Sequence, residues 1–371
     1  MNVTSNKRLL ALDVMRGITI AGMILVNNPG SWGYVYSPLK HAQWNGLTPT
    51  DLVFPFFMFI MGISTYISLR KYNFTFSAPA ALKIIKRTIV IFLIGIAINW
   101  FALLCYHHDP LPFAQIRILG VMQRLALCYG ASALIALLIK HKYIPYLIFV
   151  LLAGYFIILI TGNGFAYNET NILSIVDRSI LGDAHMYQDN HIDPEGLLST
   201  IPSIAHVLIG FCVGKLLMEV KDIREKLERL FLIGTILTFA GFLLSYGCPF
   251  NKKIWSPTFV LVTCGLGSSL LALLVWIIDI KGYKKWSRFF ESFGVNPLFI
   301  YVLADVLAIL LGVITVTCQG ESTSLQQAFY TNVLQPVFGN EGGSLAYAIL
   351  FVLLNWAIGY ILYKKKIYIK I

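Results

Sequence analysis

The stretch Thr258–Ile280, TFVLVTCGLGSSLLALLVWIIDI, carries a single charge, Asp279, next to its end. A helix needs about 20 such residues to cross a hydrocarbon core of roughly 30 Å. Spans of this kind have to be helical, because an open strand in lipid leaves backbone groups unpaired. Outward from this run, others of similar character appear at about 9–28, 50–69, 88–107, 118–139, 143–161, 202–218, 230–246, 293–314 and 345–363. The expected fold is all-α and polytopic, with about ten transmembrane helices in one membrane domain covering 1–371. The protein is expected to reside in the lipid bilayer as a multi-pass chain.

Composition agrees with that reading. Hydrophobic residues make up 57% of the 371 and charged residues 13%, against roughly 45–50% and about 25% in soluble domains. Disorder, a coiled coil and a secreted disulfide scaffold are excluded. The net charge of +11, from 29 Lys and Arg against 18 Asp and Glu, raises the question of nucleic acid, and its placement answers against it. The outer connections hold Lys40, Arg178, Lys252 and Lys253, while Arg16, Arg117 and Arg124 lie within or at the edge of spans. The other basic residues gather in the inner connections, which by the positive-inside rule places both termini in the cytosol. The first run contains Asp13 and Arg16 and is read as a permanent helix rather than a signal peptide. Six cysteines are scattered; Cys248 and Cys318, both near the outer face, could pair in an oxidising compartment. No His or Cys spacing resembles a metal site.

In so apolar a chain the informative residues are polar ones at membrane depth, where a charge costs about 2.5–3.5 kcal/mol on insertion scales. Asp13 and Arg16 sit at i and i+3 on one face of the first helix, either as a structural ion pair or as a functional charge. Arg124, with Gln123 beside it, lies inside the fourth span, His206 near the outer end of the sixth, and Asp305 near the middle of the ninth. Each could line a water-filled cavity or be satisfied by packing. The densest constellation is Asn27-Asn28-Pro29-Gly30 followed by Lys40 to Asp51, with Trp32, Tyr34, Tyr36 and Trp44 interspersed. Thr48 or Thr50 could cap the second helix. His41 ten residues before Asp51 suits a general base, because a carboxylate fixes the imidazole tautomer and stabilises the imidazolium. An aromatic-belt role for that loop is the structural alternative.

The order of motifs resembles the heparan-α-glucosaminide N-acetyltransferase family, including its compact bacterial members. The likeness is carried by Leu12-Asp13-Val14-Met15-Arg16-Gly17, Val26-Asn27, and HAQWNGLTPTDLVF from His41 to Phe54, running on through Gly62 and Ser64. It continues with Arg117 to Leu125, Asp193-Pro194-Glu195-Gly196, Asn251 to Ser256, and Asn296-Pro297. The resemblance implies a transmembrane acyltransferase fold and transfer of an acetyl group from cytosolic acetyl-CoA, without a metal, to the amine of a glucosamine-type sugar or glycan on the far side. It makes His41, Asp51 and Asn27 the catalytic set, with Asn27 able to donate to an oxyanion. Arg16, Arg124 and Gln123 are expected to bind acetyl-CoA, with Arg16 near the inner side guiding the pantetheine arm and Arg124 in the outer half of the bundle. Trp44, Asn45, Asp193 and Glu195 are expected around the acceptor.

His41 would act as base or be transiently acetylated, along a cavity that runs through the bundle. The loop between Asn27 and His41, longer here than in the lysosomal enzymes, is expected to face the acceptor. The chain is expected to correspond to the membrane core alone, in a bacterial inner membrane. A homodimer is compatible with this reading, and no nucleic-acid partner is expected. An O-acyltransferase acting on an envelope glycan and a sugar permease are the alternatives; neither repeated halves nor matching broken helices, which permeases often show, are evident.

Overall fold

A computed structural model describes residues 9–187, 191–318 and 321–369. Its helices are α1 (Leu10–Asn27), α2 (Val53–Leu69), α3 (Ala78–His107), α4 (Val121–Leu138), α5 (Ile144–Thr161), α6 (Ile172–Leu181), α7 (Thr200–Glu219), α8 (Ile223–Leu244), α9 (Pro257–Val275), α10 (Ser287–Val295) and α11 (Pro297–Val313). After the short hairpin β1 (Thr315–Cys318) and β2 (Glu321–Ser324) come α12 (Leu325–Phe329) and α13 (Gln335–Lys364). Among the described residues, nine helices are long and apolar enough to cross a membrane, or ten if the bent pair α10–α11 counts as one span. The protein is an all-α, multi-pass membrane protein.

α1, α2, α4, α7 and α9 make the inner layer, whose buried side chains include Met15, Met58, Phe59, Phe211 and Phe259. α3, α5 and α8 form an outer layer that exposes Leu93, Phe149, Ile157, Phe239 and Leu243. In lipid, helices gain little from burying more apolar surface, so association relies on close approach of backbones at small residues. The α2–α7 crossing shows this. A Cβ on Gly62 would fall inside the Val207 carbonyl, and one on Gly210 inside the Phe59 carbonyl.

Three sequence expectations are altered. The run 293–314, read as one span, is broken at Asn296, where α10 and α11 meet at 86°. Pro297 has no N–H to continue α10 and is tolerated only at the start of α11. The amide of Asn296 instead donates to the Ile367 carbonyl (2.9 Å) and accepts from the Ile369 N–H (2.8 Å), so the tail behind α13 clasps the break. α3 begins ten residues before its apolar window, because Lys83, Lys86 and Arg87 ride its first turns. The connections read as loops over 162–201 and 315–344 contain α6, the hairpin, α12 and the start of α13, which is kinked at Gly339 (φ 72°).

Cys248 is a free, buried thiol against the Thr258 hydroxyl, and burial pushes it above its usual pKa. The side chain of its expected partner, Cys318, lies outside the described residues.

Candidate active site

The loop that follows α1 is held at both ends. Asn28 caps α1 by donating to the Ile24 carbonyl (2.8 Å). Gly30 then lies so close to Tyr330, Tyr347 and Ser344 that a Cβ could not be placed, and Ser31 exchanges hydrogen bonds with the Ser344 hydroxyl. The Asn28–Gly30 segment, expected to face the acceptor, is therefore docked on α13. From the following residues Trp32 reaches the cavity described below.

At the far end of the loop Asp51 is fully enclosed. Its Oδ2 accepts from the Ala42 N–H (3.1 Å), the Thr48 N–H (3.1 Å) and the Thr48 hydroxyl (2.9 Å), while Oδ1 meets His41 Nδ1 at 2.7 Å. Thr48 is the capping threonine of the two that the sequence offers. The side chain of His41 is 45% exposed against 1% for Asp51, so the imidazole faces open space with its carboxylate behind it. With the proton on Nδ1, facing the carboxylate, the Nε2 lone pair is the free one, the arrangement a base requires.

The loop joining α8 to α9 completes this wall. Asn251 donates to Asn45 (3.1 Å) and the Phe250 carbonyl accepts from the Gly46 N–H (2.8 Å). Lys252 Nζ then lies 3.1 Å from Nδ1 and 3.4 Å from Nε2 of His41, and 3.8 Å from Asp51 Oδ1. Trp44 stacks on Tyr167 and donates to the Phe165 carbonyl (2.9 Å). Lys253 donates to the Tyr167 hydroxyl (2.8 Å).

The opposite wall is ionic. Arg117, just ahead of α4, donates to both oxygens of Asp193 (3.2 and 2.6 Å) and to Glu195 (2.7 Å), under the ring of Tyr187. Burial works against its charge, but the Glu195 and Asp193 carboxylates outweigh that and hold the guanidinium above its ordinary pKa. Asp193 also accepts the N–H groups of Tyr187 and Glu195 (both 2.9 Å), which shapes the turn carrying Glu195.

Between the walls is a cavity of about 570 Å³, lined among others by Asn27, His41, Asp51, Arg117, Glu195 and Lys252. The structure thus gathers His41, Asp51, Asn27 and Glu195 from the residues singled out in the sequence. Trp44, Asn45 and Asp193 stand behind its walls. Arg124 and Gln123 are elsewhere. Arg124 is fully buried, bonded to the Gly196 carbonyl (3.0 Å) and the Ser199 hydroxyl and stacked on Trp255, where it supports the segment bearing Glu195. Gln123 is buried against Gly95. His206 takes the packing role, with Nε2 2.9 Å from the Pro55 carbonyl, and Asp305 sits beside Tyr301 on α11.

A second cavity of about 270 Å³ opens toward the other end of the bundle, lined by Arg16, Ser64, Arg87 and Tyr129 among others. Arg16 is bonded to Asp13 (2.8 Å), Ser64 (2.8 Å) and the Gly294 carbonyl (3.2 Å), so the ion pair forms and still faces this space. The two cavities lie along the line expected for a single passage. Val53, Phe54 and Val121 line the first and Phe57 and Leu125 the second, which puts one helical turn of α2 and α4, about 5–6 Å, between them.

Arg117 and Lys252 are among the lining residues that the sequence did not single out. Lys252 carried a usable signal, as one of few basic residues on the outer side. Among the described residues no group of three or more His, Cys, Asp or Glu side chains is placed to hold a metal ion.

The family model described as "Heparan-alpha-glucosaminide N-acetyltransferase, catalytic" matches residues 8–246. Among curated relatives, the heparan-alpha-glucosaminide N-acetyltransferase of Homo sapiens is 31% identical over 365 residues, covering 81% of this chain and 53% of the relative. That of Mus musculus is 28% identical over 370 residues, covering 82% and 54%. The chain spans about half the length of these relatives. With the family model matching well over half of its residues, the chain belongs to the heparan-α-glucosaminide N-acetyltransferase family.

Proposed function

We propose that the protein is a membrane acetyltransferase that moves an acetyl group from acetyl-CoA to the amine of a glucosamine-type sugar, with His41 as base and Asp51 as its orienting carboxylate. The observation that carries the reading is the His41–Asp51 contact of 2.7 Å, with the carboxylate enclosed and the imidazole open to the larger cavity. Lys and Arg placement favours the smaller cavity, with Arg16 and Arg87, as the cytosolic side on which acetyl-CoA is taken up. The larger cavity then receives the acceptor from outside, in the cytoplasmic membrane of a bacterium. Asn27, the last residue of α1, lines that cavity and supplies an amide donor near the reacting carbonyl. Glu195, held by Arg117, offers a carboxylate to the acceptor's ammonium or hydroxyls.

The test uses proteoliposomes with labelled acetyl-CoA on one face and glucosamine on the other. Labelled N-acetylglucosamine, abolished by His41→Ala, is expected. Sugar flux without transfer would favour a permease, and acetylation at a hydroxyl would favour an O-acyltransferase.

A further inference from the structure

The Lys252 side chain is not what holds its own loop in place, although its ammonium lies 3.8 Å from Asp51 Oδ1. The loop that carries it is held by other groups: Asn251 to Asn45, the Phe250 carbonyl to Gly46, and the Ser256 hydroxyl to the Pro249 carbonyl and the Asn251 N–H. The ammonium nevertheless extends into the larger cavity and straddles the two ring nitrogens of His41, 211 positions away in the chain. A lysine drawn out of water beside an imidazole that is already paired with a carboxylate calls for a reason, since burying a charge is costly.

We propose that Lys252 is a catalytic residue of the transfer, donating an N–H to the oxyanion that forms at the thioester carbonyl. The inference rests on the acetyltransferase reading above. With Nδ1–H committed to Asp51, Nε2 is the atom that meets the acceptor amine. The amine nitrogen bonds to the carbonyl carbon, the carbonyl π pair moves onto oxygen, and the amine proton passes to Nε2. An oxygen on a carbon bonded to that nitrogen falls within reach of an ammonium 3.4 Å from Nε2. Collapse re-forms the carbonyl and breaks the C–S bond. The departing thiolate takes the proton from Nε2, leaving amide and free thiol. Lys252 stays an ammonium throughout, and a preplaced donor of this kind is the usual source of oxyanion stabilisation.

The groups facing Lys252 are His41 and Asp51 from the first outer loop and Glu195 from the segment ahead of α7. Burial lowers its pKa, and Asp51 and Glu195 pull it back without restoring the ordinary value. The donor is therefore lost by deprotonation at lower pH than an exposed lysine would require, whereas a guanidinium in its place would persist.

The experiment measures kcat and KM for glucosamine against pH in wild type, Lys252→Met and Lys252→Arg, with thermal unfolding of each. Lys252→Met is expected to lower kcat by about 100- to 1000-fold with KM changed less than about threefold. Lys252→Arg is expected to recover at least about tenfold of that loss and to carry the alkaline limb of the profile to higher pH than wild type. A Lys252→Met enzyme with wild-type kcat, or a Lys252→Arg profile whose alkaline limb coincides with that of wild type, overturns the role while leaving the acetyltransferase reading intact. Should the methionine variant not fold, the arginine profile decides alone. Wild type that transfers no acetyl group overturns the functional reading and this role with it.

Discussion

Replacing Asp51 by asparagine keeps size and shape but alters which atoms can face which partners. Three donors converge on Oδ2: the Ala42 and Thr48 N–H groups and the Thr48 hydroxyl. In the variant these donors claim the amide oxygen and turn the NH2 toward His41 Nδ1, across the present 2.7 Å contact. An amide N–H there demands a lone pair on Nδ1, so the imidazole proton moves to Nε2 and the atom facing the cavity becomes a donor. Loss of a positioned base is expected to lower kcat by about 10²–10⁴, equivalent to about 3–5 kcal/mol of barrier. The fold loses less. Exchanging charged for neutral acceptors in these hydrogen bonds costs on the order of 1–3 kcal/mol. Initial rates of labelled acetyl transfer over a glucosamine series, with unfolding temperatures in the same detergent, separate the two effects. A variant that keeps kcat within about threefold of wild type would refute the assignment of Nε2 as base, as would a loss confined to KM.

Arg117→Met should leave the Asp193 and Glu195 carboxylates without their counter-charge and destabilise the protein by about 3–5 kcal/mol, read as a lowered unfolding temperature; an unchanged temperature would show that the cavity wall does not depend on the ion pair. Asp177, buried under the Gly196 turn with its pKa pushed up to about 6, bonds the Leu197 N–H through Oδ1 while Oδ2 has no partner among the described residues. Its native state therefore holds a proton that the unfolded chain releases nearer pH 4, so stability falls as pH rises from about 4 to 6. Asp177→Asn should flatten that slope and raise stability at pH 7 by on the order of 2 kcal/mol, with the advantage gone near pH 4 in a series of melting curves. Gly210→Val should abolish folded yield, because no side chain fits against the Phe59 carbonyl; well-folded variant protein at the wild-type level would contradict the close α2–α7 crossing.

The spans were legible because lipid imposes one solution on any long apolar run, so hydropathy alone finds α1, α2, α7 and α9. The break at Asn296 was hidden from the same signal. Residues 293–314 are apolar apart from Asn296 and Asp305, and the bend comes from one missing N–H at Pro297 together with a clasp from Ile367 and Ile369 in the tail. In the site, His41 and Asp51 were readable because they lie within one loop and their residue types complement each other. Lys252 was marked only as an outer-side charge and Arg117 not at all as a lining residue, since their placement depends on how the α8–α9 connection and the segment ahead of α4 dock against that loop. Arg124 marks the limit of reasoning from cost. A charge at depth announces that something holds it, and here the holders are Gly196, Ser199 and Trp255 rather than open space.

The single turn of α2 and α4 that divides the two chambers also has an electrical meaning. In a membrane held at about 100 mV, moving one elementary charge across costs or yields about 2.3 kcal/mol, and with water-accessible space on either side most of that voltage falls over these 5–6 Å. Val53, Phe54, Phe57, Val121 and Leu125 are the apolar side chains that line the two cavities on either side of this turn. In the proposed orientation, the reaction needs to send only the neutral acetyl-pantetheine arm past them, while the phosphates of CoA and the ammonium of the sugar each stay on their own side of the field.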